Sequence, residues 1–116
     1  MDNQKLDALY HVLSDATRRA VVERLTRGPA SVSELAEPHD IALPTFLKHL
    51  KVLEKSGLVR SEKAGRIRTC HIEAAPLRAA EDWLAAQRRL WEGRLDRLQV
   101  LAERLEAEAG TEGDQP

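Results

Sequence analysis

The chain has 116 residues, of which 42% are hydrophobic, 32% are charged and only 3% are aromatic. A chain of this length forms one domain with a modest core, and the scarcity of aromatics favours aliphatic packing between helices. The single cysteine, Cys70, excludes an internal disulfide, and no apolar run approaches the roughly 20 residues of a membrane helix. The N terminus lacks a basic-then-apolar signal pattern, so we expect a cytoplasmic protein without membrane association.

Positive charge is concentrated in one central segment, although the formal net charge is only −1. Residues 44–72 carry seven Lys or Arg against two Asp or Glu, a net charge of +5. Residues 1–43 carry five against seven, and residues 73–116 carry six against ten. This asymmetry is typical of a segment that contacts DNA, but a solvated surface can show it as well.

The N-terminal part of the chain predicts two helices. Four apolar residues recur at helical spacing over about residues 4–13: Leu6, Leu9, Tyr10 and Leu13. Either Ser14 or Asp15 can cap a second helix, which runs to about Arg27. The Gly-Pro pair that follows ends this helix, because glycine tolerates the left-handed closing conformation and proline cannot continue a helix.

The next segment predicts two helices joined by a short turn. Ser31 and Glu34 form a capping box that opens a short helix, Val32 to about Glu37. The second helix covers about residues 43–56, and Pro44 suits its first turn. Its apolar and basic residues lie largely on opposite sides: Phe46, Leu47, Leu50 and Leu53 against Lys48, Lys51 and Lys55. Such a pair is a helix-turn-helix, whose second helix reaches base edges with its N-terminal residues.

A basic hairpin follows the second helix of this pair. Residues 58–63 and 66–72 predict two short strands, and Ala64-Gly65 between them is a turn signal. Their alternation is imperfect, which leaves the register open. Three cations near the tip suit phosphate or minor-groove contacts, where negative charge density is highest: Lys63, Arg66 and Arg68.

The remainder of the chain predicts one long helix, from Glu73 to about Ala109. Apolar residues recur every seventh position: Leu77, Leu84, Trp91, Leu98 and Leu105. Such a repeat keeps one apolar row facing a partner helix. At roughly 50 Å the helix exceeds the diameter of a small domain, so part of this row needs a second chain. The polar residues 110–116 predict a disordered tail.

Three runs of sequence resemble the ArsR family of bacterial repressors, within about residues 6–105: LSDATRRAVVERLTRG, SVSELAE and LPTFLKHLKVLEKSGLVRSEKAGRIRTCHIE. The segment KHLKVLEKSGLV, followed by the basic hairpin, is quite specific to that family. The resemblance implies a mainly α winged helix-turn-helix domain over residues 1–109, with a two-stranded β-wing and a long C-terminal dimerisation helix. It further implies a homodimer on a near-palindromic operator, and repression relieved by an effector.

The resemblance and the residue chemistry together predict two functional surfaces. The expected DNA contacts come from the capped helix, the recognition helix and the wing: Ser31, Pro44, Thr45, Lys48, His49, Lys51, Lys63, Arg66 and Arg68. The expected dimer interface comes from the first and last helices: Leu6, Leu9, Tyr10, Leu84, Trp91, Leu95, Leu98, Leu101 and Leu105. The alternative for His49 is a structural hydrogen bond. Arg18 and Arg19 are less favoured candidates, either for a phosphate contact or for steadying the dimer.

The sequence departs from the metal-sensing members of that family. VSELAE has no Cys pair where those members carry one, and no His follows His71 on the last helix. The four His residues and Cys70 lack the convergent spacing that a metal requires, so we expect no metal and no other cofactor. Leu43 and Leu47 also stand where small polar residues are often found, which leaves fewer phosphate hydrogen bonds.

The sequence therefore favours a regulator over an enzyme. It has no Ser-His-Asp spacing, no phosphate-cradling glycine loop and no His-Glu-x-x-His motif. We expect a homodimeric repressor whose partner is double-stranded DNA, either controlled by an unidentified small-molecule effector or by its own level alone. The alternative is a winged-helix protein-interaction module that does not bind DNA, which the charge of residues 44–72 disfavours.

Overall fold

The computed structural model describes residues 3–113, and the chain divides into two compact units, Met1–Glu81 and Asp82–Pro116. The elements in chain order are α1 (Asn3–Leu13), α2 (Ala16–Leu25), β1 (Ala30–Ser31), α3 (Val32–Ala36), α4 (Leu43–Lys55), β2 (Val59–Ala64), β3 (Ile67–Ile72) and α5 (Ala74–Gly113). This is the predicted winged helix-turn-helix order. Helices α3 and α4 form the helix-turn-helix, and the hairpin of residues 59–72 is the wing.

The first unit has one aliphatic core to which α1–α4 and the sheet contribute. Its most deeply buried members include Leu9, Val12, Val21, Leu25, Leu35, Phe46, Leu50, Leu53 and Leu58. Full burial of one such side chain stabilises the fold by about 1.5–3 kcal/mol. The ring of Phe46 also stacks on His39, with ring centroids 5.6 Å apart, which holds the turn before α4 against that helix.

The ends of the short helices follow local hydrogen-bonding chemistry. Asp15, not Ser14, caps α2, because its Oδ2 accepts the backbone N–H of Arg18 at 3.0 Å. Helix α2 ends at Leu25, two residues before the predicted Arg27. Ser31 caps α3 as predicted, accepting the backbone N–H of Glu34 at 3.1 Å.

The two-stranded wing is confirmed as the β2–β3 hairpin, and a third strand, β1, joins it in an antiparallel sheet of order β1-β3-β2. In the added strand, Ala30 pairs with Cys70 and Ser31 with Thr69. A two-residue strand offers no alternation to recognise, and its partner lies about 40 positions away in sequence. The missing strand is therefore a tertiary feature.

The wing has a definite register, which the sequence left open. Val59 pairs with Ile72 and Ala64 with Ile67, so Gly65 and Arg66 form a two-residue turn. Gly65 has φ +63°, the positive value that a type II′ turn needs at its first position. The strand bounds differ from the predicted ones by one residue.

Helix α5 begins at Ala74 and continues to Gly113, four residues beyond the predicted end at Ala109. The rest of the predicted disordered tail, residues 114–116, lies outside the described residues. Within the second unit, large apolar side chains on α5 are exposed in the single chain: Leu84, Leu90, Trp91, Leu95, Leu98, Leu101 and Leu105. No helix within residues 3–113 has the length and apolar character needed to cross a membrane.

Two residues expected at a dimer interface are already covered within one chain. Leu9 retains only 2% of its exposure as part of the core, and Leu6 only 8%. Neither has much apolar surface left for a partner to bury, and their part in a dimer interface stays a prediction. Tyr10, by contrast, is 40% exposed.

Candidate nucleic-acid interface

The recognition helix α4 buries one side and exposes the other. Phe46, Leu50 and Leu53 retain at most 1% of their exposure and fix the inward side. At 3.6 residues per turn, the opposite side then faces solvent. The exposed residues of α4 are Leu43, Pro44, Thr45, Leu47, Lys48, Lys51 and Lys55. The expected N-terminal contact residues Pro44, Thr45 and Lys48 thus lie on the exposed part of this helix.

Three lysines on the exposed side of α4 carry uncompensated charge. None of the ion pairs found among the described residues involves Lys48, Lys51 or Lys55. The N-terminal turn of α4 contains no acidic residue. Their ammonium groups are therefore available to an anion from outside the chain.

His49, also expected to contact DNA, takes part in an inner hydrogen-bond cluster. Its side chain is 22% exposed, and its Nδ1 lies 3.2 Å from a guanidinium nitrogen of Arg18 and 3.6 Å from Oδ2 of Asp15. This is the structural hydrogen bond that the sequence left open as an alternative. A DNA contact through the second ring nitrogen stays a prediction.

Arg18, a less favoured candidate for a phosphate or dimer contact, is a structural residue. It is 9% exposed, its Nε donates to the carbonyl of Val12 at 2.8 Å, and a terminal nitrogen donates to that of His11 at 3.0 Å. With both amino groups and Nε engaged inside the chain, its guanidinium does not reach for a phosphate. The sequence gives little indication of this structural role, because no local pattern distinguishes an arginine that binds the end of the preceding helix from an exposed one.

Asp15 completes this cluster as a carboxylate. The backbone N–H that Arg18 donates lowers the pKa of the Asp15 carboxyl, and the positive charge of Arg18 acts in the same direction. Burial partly opposes this effect. The ionised form is therefore the one that the folded chain favours at the start of α2.

The cations of the wing fall into two groups. Lys63 and Arg66 are exposed, and neither takes part in any ion pair found within the described residues. Arg68 instead donates to the Glu54 carboxylate on α4 at 2.5 Å, and Ser61 on β2 donates to the same oxygen. Glu54 thus joins the wing to the recognition helix. It also neutralises the charge of Arg68, one of the three wing cations expected to contact DNA.

Arg60 is a fourth wing cation and is also paired. It donates to Glu73 at 2.8 Å and to Glu62 on its own strand, and these bonds raise the pKa of its guanidinium, with Glu73 the larger contributor. The charge of +5 over residues 44–72 is consequently carried to the surface mainly by Lys63, Arg66 and the lysines of α4.

Ser31 lies where β1 meets α3. Its Oγ is used as the acceptor of the α3 cap, which leaves the hydroxyl proton to donate outwards. The pairing of β1 with β3 places Ser31 opposite Thr69 of the wing. The expected contact residue therefore lies beside the middle of β3.

Cys70 lies in the core beneath the wing. It is fully buried, and burial raises the pKa of its thiol, as expected for a small core side chain. Across the described part of the chain, no group of three or more His, Cys, Asp or Glu side chains is placed to hold a metal ion.

This chain is similar in sequence to known proteins. A family model described as a helix-turn-helix domain matches residues 13–62, from the end of α1 into β2. The HTH-type transcriptional regulator Rv2034 of Mycobacterium tuberculosis is 41% identical over 73 residues, which cover 63% of this chain and 68% of the relative.

Two solved structures extend the similarity to the fold. The crystal structure of an ArsR family transcriptional regulator is 54% identical, with a TM-score of 0.77, and the match covers 79% of this chain and 95% of that one. An ArsR-like transcriptional regulator from Rhodococcus sp. RHA1 is 30% identical, with a TM-score of 0.73, over 86% of this chain and 94% of that one.

Proposed function

This chain belongs to the ArsR family of DNA-binding transcriptional regulators, and on that premise we propose that it is a homodimeric repressor of a near-palindromic operator. The proposal rests on the exposed side of α4, where Lys48, Lys51 and Lys55 are spaced along the helix and have no ion-pair partner among the described residues. A dimer would present two such helices about one helical turn of DNA apart, roughly 34 Å.

Each exposed residue of the helix-turn-helix has a distinct proposed role. Thr45 and Lys48 lie in the first turns of α4, from which side chains reach base edges in the major groove. Pro44 would pack at the groove entrance. Lys51 contributes to phosphate attraction, which adds affinity without sequence preference. The Ser31 hydroxyl would donate to a phosphate beside the wing.

The wing would contact the DNA backbone or the minor groove next to the recognition helix. Lys63 and Arg66 supply free positive charge at the hairpin tip. Arg68 and His49 are secondary contacts in this proposal. Glu54 already binds Arg68, and Arg18 binds Nδ1 of His49, which leaves only Nε2 of that ring for DNA. Long cations suit this position because the minor groove and phosphates carry the highest negative potential.

The dimer would form through the exposed apolar side chains of α5 and through Tyr10. A helix with Leu84, Trp91, Leu98 and Leu105 exposed in a single chain leaves a large apolar surface in water, which a second copy can bury. Leu95 and Leu101 widen the same surface. Because α5 would supply the dimer interface, we infer that residues 1–109 act as one functional domain. Its proposed role is regulation of transcription in the cytoplasm, not catalysis.

Control by a small-molecule effector is the finer part of the proposal and is supported by family membership alone. An effector that binds the free dimer better than the DNA complex would release the operator. Thermal-shift measurements against metals and small molecules separate this mechanism from a repressor controlled only by its own concentration.

The direct test is a gel shift and footprint of the purified full chain on DNA from upstream of its own gene. Substitution of Lys48 by Ala should weaken operator binding about 5- to 150-fold and relax sequence preference, since a specific contact contributes ~1–3 kcal/mol. The matched control, Arg89→Ala on α5, should leave binding unchanged. A chain that binds no genomic duplex even at low salt would refute the proposal and favour a protein-interaction module.

A further inference from the structure

The exposed side of α4 begins with two apolar side chains that the core does not use. Leu43 is 54% exposed and Leu47 is 39% exposed. They are four residues apart, so they lie next to each other on one side of the helix. Lys51 and Lys55 continue the same row at the same spacing. The row is thus apolar in its first two turns and cationic in its last two.

This apolar pair is not explained by packing within the chain. The inward residues Phe46, Leu50 and Leu53 already fill the contact between α4 and the core. Two adjacent exposed leucines expose apolar surface to water, and contact with an outside group would remove that surface from solvent. Their position in the first two turns of the recognition helix indicates where that group would be.

The neighbouring cations specify the chemistry of that group. Lys51 lies one turn beyond Leu47 in the same row, and Lys48 neighbours Lys51 at i,i+3 spacing. Neither lysine has an ion-pair partner among the described residues. The group that binds this surface should therefore carry negative charge around an apolar centre of its own. The major groove of DNA meets this description, because phosphates line its edges and the C5-methyl group of thymine is the apolar group on its floor.

We propose that Leu43 and Leu47 contact thymine C5-methyl groups in the operator and thereby determine part of its sequence preference. This inference rests on the proposed entry of α4 into the major groove. In this proposal the recognition helix recognises bases in two ways. Thr45 and Lys48 form hydrogen bonds with base edges, and the two leucines contact methyl groups. Each operator half-site should accordingly contain a preferred T·A pair beside the bases read by Lys48.

The experiment begins with selection of high-affinity duplexes from a random pool by the full chain. Each preferred thymine of the selected operator is then replaced singly by deoxyuridine, which removes only the methyl group and keeps base pairing. For the wild-type chain, affinity should fall about fourfold at the contacted thymines, the change that corresponds to one buried methyl-sized group.

The Leu43→Ala and Leu47→Ala variants complete a double-mutant cycle. Each variant should bind the thymine operator more weakly than the wild type. Its affinity should fall less than twofold when deoxyuridine replaces the thymine that the missing leucine would contact. The matched control is Ile67→Ala, which removes an exposed aliphatic side chain from the wing and should keep the fourfold discrimination. Because both leucines are exposed, their replacement leaves the core intact.

The outcomes separate this inference from the proposed function. Selective operator binding with equal affinity for thymine and uracil at every position would overturn the methyl contact and leave the repressor proposal standing. A selected operator without a preferred thymine in its half-sites would do the same. Absence of selective binding to any duplex would overturn both.

Discussion

The guanidinium of Arg18 on α2 donates a hydrogen bond to the imidazole Nδ1 of His49 on α4, with 3.2 Å between the two nitrogens. The same guanidinium donates to the carbonyls of Val12 and His11 at the end of α1. One buried side chain therefore connects α1, α2 and the recognition helix. Because the arginine is the donor, the imidazole accepts at Nδ1 and keeps its proton on Nε2.

This arrangement predicts that Arg18 stabilises the fold much more than its neighbour in sequence. Replacement of Arg18 by Met should lower the free energy of unfolding by about 2–3 kcal/mol, since two carbonyls lose charged donors in a buried site. The matched control, Arg19→Met, removes an exposed bond to the Leu13 carbonyl and should cost less than ~1 kcal/mol. Urea unfolding at one protein concentration measures both, and equal losses would contradict this role.

Asp15 predicts a pH-dependent contribution to stability. Its folded-state pKa is lowered, first by the backbone N–H of Arg18, so its contribution is complete above the ordinary Asp value of about 3.9 and disappears as the pH falls through the lowered value. Asp15→Asn keeps a capping side chain but removes the charge. We expect it to be about 0.5 kcal/mol less stable than the wild type at pH 7.

The difference between the wild type and Asp15→Asn should shrink in acid below about pH 4, as measured by chemical unfolding at a series of pH values. Asp15→Ala also removes the cap and should cost about 1 kcal/mol at neutral pH. A wild-type advantage over the Asn variant that stays constant from pH 7 into acid would show that the charge of Asp15 has no role.

Arg66 and Arg68 of the wing predict unequal salt effects on DNA binding. Arg66 has no ion-pair partner in the described part of the chain, so Arg66→Ala should reduce the slope of log affinity against log salt by about 1. Arg68→Ala should reduce it by less, because Glu54 already neutralises that guanidinium.

Glu54→Gln provides the complementary variant, because it frees Arg68 and should make operator binding steeper in salt. Fluorescence anisotropy at several KCl concentrations gives all three slopes. Equal effects of Arg66→Ala and Arg68→Ala would mean that the Glu54 pair opens completely on DNA.

The exposed apolar residues of α5 predict an effect on oligomeric state. Leu98→Glu places a charge within the apolar row and should convert the dimer to a monomer. Arg89→Glu is the matched control, because nine residues separate it from Leu98 and put it on the opposite side of the helix. Light scattering on both full-length variants distinguishes the outcomes, and a Leu98→Glu protein that stays dimeric would exclude this interface.

Local patterns in the sequence were sufficient to predict most of the architecture. The capping residue Ser31, the Gly-Pro pair after α2 and the heptad spacing of α5 act through neighbours within one or two turns, so their effects can be inferred without the fold. The same is true of the exposed lysines of α4, because helical periodicity separates them from Phe46, Leu50 and Leu53.

Tertiary structure alone decided which charged and polar side chains remain free. Arg18 and Arg66 are both arginines in basic surroundings, yet one is buried against α1 and the other is exposed at the wing tip. The pairing of Arg68 with Glu54 and of Ala30 with Cys70 joins residues 14 and 40 positions apart. Such contacts depend on how whole elements pack. Residue type and local periodicity do not indicate which residues so far apart in sequence will meet.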